Sequence, residues 1–95
     1  MKASLLIRER VVFPDGSLVE MVAWRLPSPL PPSSHGFKYS LVYIVDGVRV
    51  LGYDNERGKG DHRHRDGREE SFAFVSMDNL LERFVAEVEE LRRTP

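Results

Sequence analysis

Apolar and polar residues alternate through most of the first half of the chain. In "SLLIRERVVF" (Ser4–Phe13), Leu5, Ile7, Val11 and Phe13 share one side, with Glu9 the exception, and this period of two predicts a half-buried strand. "PDG" (Pro14–Gly16) is a turn signal, and "SLVEMVAWRL" (Ser17–Leu26) returns as the second arm of a hairpin. "PSPLPPSSHG" (Pro27–Gly36) holds four prolines, which bar it from an interior strand or helix and predict an extended run over the surface. "FKYSLVYIV" (Phe37–Val45) is a strand with Phe37, Tyr39, Leu41, Tyr43 and Val45 on one side. Asp46-Gly47 is the favoured two-residue hairpin turn, and "VRVLGY" (Val48–Tyr53) is the strand that comes back from it.

The period changes near the end. "SFAFV" (Ser71–Val75) predicts one more short strand, Ser76 is placed to cap a helix, and Asp78 lies in a first turn that favours an anion. From there Met77, Leu81, Phe84, Val88 and Leu91 recur at the spacing of one helical stripe, closed by Arg92 and Arg93. The stripe reads as packing against the sheet, with a coiled-coil or partner seam as the alternative. Glu82, Glu87, Glu89 and Glu90 read as a solvated outer face, or as a surface for a basic partner. The whole predicts a single α+β domain over residues 1–95: an antiparallel sheet of about five strands with one C-terminal helix on one face.

One stretch fits neither period. "GYDNERGKGDHRHRDGREE" (Gly52–Glu70) carries charge at nearly every other step, and Tyr53 is its one apolar side chain. Its composition is that of a mobile, solvated loop, and a loop without function is one reading of it.

Composition narrows the chemistry open to the chain. A net charge of −1 gives no global field toward nucleic acid or membrane, so any attraction must be local. The absence of cysteine removes disulfides, thiolate catalysis and Cys-based zinc, and fits a reducing cytosol. Neither a signal peptide nor a membrane span is legible, so a cytoplasmic protein is expected. A chain of 95 residues builds a modest core, which leaves a homodimer among the expectations.

Within the charged stretch, His62 and His64 would lie on one face of an extended backbone, about 7 Å apart. With Asp54 or Asp61 they could form a His₂-carboxylate site for zinc or iron, although Arg57, Lys59, Arg63, Arg65 and Arg68 oppose a cation there. "RGKG" (Arg57–Gly60) offers backbone N–H groups and two cations to a polynucleotide phosphate, but it lacks the Lys-Ser/Thr of a P-loop. Acid–base cleavage of RNA needs a base for the 2′-hydroxyl, a cation for the phosphoryl oxygens and an acid for the 5′-oxygen. His62 and His64 suit the first and last, and Lys59, Arg63 or Arg65 the second. This chemistry needs no cofactor. His35 reads as a loop residue, Trp24 as a sheet residue rather than a base-stacking platform, and Tyr53 as a stacking or orienting candidate.

"HGFKYSL" (His35–Leu41), "GYDNERGKGDHRH" (Gly52–His64), the following "F-V" and the terminal helix resemble the TumE family, small bacterial proteins known as toxins of type II toxin–antitoxin pairs. The resemblance runs over nearly the whole chain, including the early "DGS". It implies a ribonuclease acting on cellular RNA, neutralised by a helix-turn-helix antitoxin. It carries over Tyr53, Asp54, Asn55, Gly58, Lys59, Gly60, Asp61, His62, Arg63 and His64. The resulting expectation is a metal-independent RNA-phosphate site with His62 and His64 as the acid–base pair. Lys59, Arg57, Arg63 and Arg65, with Gly58 and Gly60, would hold the phosphate. Asp61 or Asp54 would orient a histidine, and Tyr53 could stack a base. A non-catalytic module binding RNA or the antitoxin, and a metal-dependent nuclease, are the alternatives.

Overall fold

A computed structural model describes residues 2–93. Six strands form one antiparallel meander in the order β1-β2-β3-β4-β5-β6: β1 (Ser4–Val12), β2 (Leu18–Arg25), β3 (Phe37–Val45), β4 (Val48–Glu56), β5 (Gly60–Arg65) and β6 (Arg68–Ser71). One helix, α1 (Met77–Arg93), packs on one face. The α+β architecture is the one the hydrophobic pattern predicts, with one strand more.

Two strands, β5 and β6, come from the charged stretch, which is a hairpin and not a mobile loop, and they outnumber the one predicted over Ser71–Val75. β4 runs on to Glu56, turns through residues 57–59, and returns as β5 and then β6. Asp66-Gly67 makes the second turn with φ of 53° and 76°, nearly the geometry of Asp46-Gly47 at 51° and 77°. Both are the same Asp-Gly hairpin signal. The second went unread because its flanking strands carry charges where β4 carries Leu51 and Tyr53. β6 is short and reads Arg-Glu-Glu-Ser, which keeps the free edge of the sheet from pairing with other chains.

"SFAFV" does not extend the sheet. Beyond Ser71 one backbone bond, Phe72 N–H to the Asp61 carbonyl at 3.3 Å, continues the pairing before the chain crosses to the helix side. There Phe72 meets Tyr53 edge-on at 5.3 Å between centroids, and Phe74 stacks on His35 at 3.7 Å. Both rings pack against the core on the helix side, and tertiary contacts rather than a ladder hold them.

The core lies between α1 and the sheet: Val19, Ala23, Tyr39, Leu41, Tyr43, Leu51, Tyr53, Leu80, Phe84 and Val88. Burying a ring such as that of Phe84 contributes roughly 2–3 kcal/mol. Ser76 caps the helix as predicted, its Oγ accepting from Asn79 N–H at 3.0 Å. Leu80 joins the predicted stripe as a fully buried member. Bulges interrupt strict alternation in two places. Between Leu5 and Ile7 the register shifts, so Leu5 pairs with Trp24 on the face away from α1, while Ile7 and Val11 stay on the helix side opposite Ala23 and Val19. A second shift lies between Tyr43 and Ile44; Leu51 pairs with Tyr43, and Arg49 with Ile44 on the other face.

The proline-rich connection does not simply cross the surface. It docks on the β4–β5 turn. Gly58 N–H donates to the Pro31 carbonyl at 3.0 Å, Pro32 packs against Gly60, and buried Ser33 meets Asp61 and Asn55.

Candidate functional site

Strand pairing decides which residues of the charged stretch can act together. β5 alternates, so Asp61, Arg63 and Arg65 face the helix while His62 and His64 face away from it. On β4, Tyr53 and Asn55 share the helix side, and Asp54 shares the face of the histidines.

The helix side is a set of closed hydrogen-bond networks. Asp61 accepts from Tyr39 Oη and His35 Nε2, each at 2.7 Å, and from Ser33 Oγ at 3.3 Å. His35 Nδ1 in turn accepts from Phe37 N–H at 3.2 Å, which fixes the proton on Nε2 and leaves neither ring nitrogen for substrate. Asp61 therefore orients His35, in a structural role, and neither His62 nor His64. Burial and its bond to Asp61 push the Tyr39 hydroxyl well above its ordinary value. Asn55 replaces a missing stretch of ladder: its Oδ1 accepts from Tyr39 N–H at 3.0 Å and its Nδ2 donates to the Phe37 carbonyl at 2.7 Å.

A second network centres on Glu87. Its carboxylate accepts from Tyr53 Oη and Arg63 Nη2, and from Arg65 Nη1 at 3.1 Å. Burial raises the Glu87 carboxyl, but the bonds from Arg63 and Tyr53 outweigh it and hold the group below its ordinary value. Its bond to Glu87 raises Arg63 further, and burial raises Tyr53. Glu87, expected among the solvated glutamates, is an anchor between helix and sheet. Tyr53 is fully buried between Phe72 and Phe84, so no ring face is open to a base. Arg63 is committed to Glu87, Glu70 and Tyr53.

The opposite face carries the open chemistry. His62 Nδ1 lies 2.9 Å from the Gly60 carbonyl, which can only accept, so Nδ1 bears a proton and the lone pair of the neutral ring is on Nε2. His64 sits between two carboxylates, with Nε2 3.5 Å from Asp54 Oδ1 and Nδ1 3.9 Å from Glu69 Oε2. Glu69 also approaches His62 Nε2 at 3.6 Å and Lys59 Nζ at 3.6 Å. Arg49 lies over Gly52, its Cδ 3.0 Å from where a β-carbon would stand, and reaches Asp54 at 3.9 Å. Arg49, Asp54, Lys59, His64, Arg65 and Arg68 line a cavity of about 360 Å³ together with Glu56, Gly67 and Glu69.

Of the residues singled out in the sequence, this face gathers His62, His64, Asp54 and Lys59, with Arg65 at its border. Arg57 is exposed in the turn, away from these contacts. Gly58 and Gly60 adopt φ of 88° and 79°, and their neighbours are Pro31 and Pro32. They make the turn and receive the proline segment, so the Gly58 N–H is taken and does not await a phosphate. Arg49 and Glu69 were not read from the sequence. Alternation would send Arg49 into the core with Leu51, and only the bulge turns it out.

Among the described residues, no group of three or more His, Asp or Glu is arranged to hold a metal ion, and no helix is long and apolar enough to cross a membrane. Fold and site define a small α+β sheet protein with one face built for folding and the other carrying paired imidazoles. The chain belongs to the family described as Toxin TumE, whose model matches residues 2–92. It is thus a toxin of a toxin–antitoxin system, with an antitoxin as its partner. Searches of curated proteins and of solved structures returned no match.

Proposed function

We propose that the protein cleaves RNA through its paired imidazoles, without a metal. The observation that carries this reading is the placement of His62 and His64 on one open face, with Arg49 and Lys59 beside them and different polar neighbours for each ring. His62 Nε2, its tautomer set by the Gly60 carbonyl, takes the 2′-hydroxyl proton. The 2′-oxygen attacks phosphorus and the bond to the 5′-oxygen breaks. His64, as an imidazolium with Asp54 and Glu69 near its two nitrogens, gives a proton to the departing 5′-oxygen. Arg49 and Lys59 offset charge on the phosphoryl oxygens. The products are a 2′,3′-cyclic phosphate and a 5′-hydroxyl, and the two histidines exchange protonation states. The partner that silences this chemistry is a helix-turn-helix antitoxin covering the β4–β6 hairpin.

The test is cleavage of labelled RNA by the purified protein in EDTA, beside the His62→Ala/His64→Ala variant. Cyclic-phosphate ends from the wild type alone, with a bell-shaped pH profile, are expected. Activity that needs added metal would turn the histidines into ligands. Salt-dependent binding without cleavage under either condition would leave a non-catalytic RNA module.

A further inference from the structure

The face that carries the histidines continues across the whole sheet, and among the described residues no element covers it, since α1 lies on the other side. Pairing aligns the side chains on it in rows. One row runs Arg8, Val22, Ser40, Asp54, His62 from β1 to β5, and the next runs Arg10, Glu20, Val42, Gly52, His64. In the middle Ser40 and Val42 raise no long side chain, and over Gly52 lies the Arg49 side chain, a cation on the path to the histidines. Trp24 lies one pleat beyond Val22, paired with Lys38 and on the same face. From the His62 row, three strand spacings and two residues along β2 make about 16 Å, within the span of a few nucleotides.

The charges differ between the two ends of this path. Near the middle and the histidines, anions have cations close by: Glu20 has Arg10 at 3.7 Å, Asp54 has Arg49 and His64, and Glu69 has Lys59. Glu56, exposed at the end of β4, is the exception among the described residues. At the far end, Arg8 and Lys38 have no carboxylate partner among the described residues, and the Arg8 guanidinium stands 5.8 Å from the Trp24 ring centroid. A half-buried indole between two uncommitted cations is the combination that single-stranded nucleic acid uses, stacking for a base and charge for the backbone.

We infer that Trp24, Arg8 and Lys38 form a second RNA subsite, which stacks a base a few nucleotides from the scissile phosphate while the strand lies across β4 and β3. This rests on the ribonuclease reading for the location of the scissile phosphate but not for the surface itself. The first helper to the test is the composition: Trp24 is the chain's one tryptophan, so its emission reports this subsite alone.

The experiment titrates a mixed-sequence RNA decamer into the His62→Ala/His64→Ala protein while Trp24 emission is followed, and measures wild-type cleavage of the decamer and of a dinucleotide. Saturable quenching is expected, weakened about tenfold by Arg8→Gln/Lys38→Gln. Trp24→Leu should lower the decamer-to-dinucleotide ratio of kcat/KM about tenfold, and Trp24→Phe should recover part of it. Quenching by a wild type that cleaves nothing would support the subsite and sink the ribonuclease reading. Cleavage without quenching, or an unchanged ratio in Trp24→Leu, would overturn the subsite and spare that reading. Failure of both signals would overturn both. Quenching by the antitoxin but not by RNA would assign this face to the protein partner and overturn the inference.

Discussion

The two faces of the β4–β5 hairpin are made from alternate residues of one short string, and they differ in how tightly their polar groups are held. On the helix side Asp61, His35, Tyr39 and Asn55 meet at 2.7–3.2 Å. On the outer side His64, Asp54, Glu69, Lys59 and Arg49 stand 3.5–3.9 Å apart, close enough to influence one another and too far for good hydrogen bonds. The inner contacts are satisfied and build the fold. The outer ones leave donors and lone pairs open to an incoming group. A motif read as one chemical unit is therefore two interleaved ones, separated by the pleat.

This contrast predicts a double dissociation. The largest effect belongs to His62→Ala and His64→Ala, each expected to cut RNA cleavage by about 10²–10⁴-fold. The midpoint of thermal unfolding should hardly move, since neither ring is part of the core. A large drop in melting temperature for either variant would mean that the outer face is structural after all. Asp61→Ala should do the reverse. It strands Tyr39 and His35 and should cost about 3 kcal/mol, lowering the melting temperature of a domain this size by roughly 10–20 °C. If instead it spared stability and abolished cleavage, Asp61 would be part of the chemistry.

A smaller effect is expected at Glu87, and it depends on pH. Its carboxyl lies below its ordinary value of 4.5 when folded, so the stability it contributes is present above that value. That contribution disappears as pH falls through the lower folded value. Glu87→Gln should thus lose about 2–3 kcal/mol at neutral pH, less than a fully buried pair because some solvent reaches both groups. The gap between variant and wild type should close on acidification, as read by denaturant unfolding at a series of pH values. A gap that widened in acid would contradict the assignment. Last comes Arg49→Ala, expected to slow cleavage about tenfold, the loss of one charge-stabilising contact, at a stability change of under about 0.5 kcal/mol. Equal cleavage by this variant would leave Lys59 as the phosphate's cation.

The sequence by itself determined the class of fold, the first four strands, the Asp46-Gly47 turn, the capped helix and the family, because each rests on local periodicity, turn chemistry or a long specific string. It also marked His62 and His64, since residues two apart on an extended chain share a face wherever that chain lies. Only the tertiary structure decided the rest. It turned a charge-rich stretch into two strands, because Asn55, Asp61 and Arg63 find partners in Tyr39, His35 and Glu87, which are far away in sequence. It moved Arg49 into the site through one bulge, and Leu5 out of the inner face through another. It withdrew Tyr53 from any ligand by closing a helix over it. Periodicity reports which residues share a side, but the identity of that side is set by what packs against it, and that is a property of the whole chain.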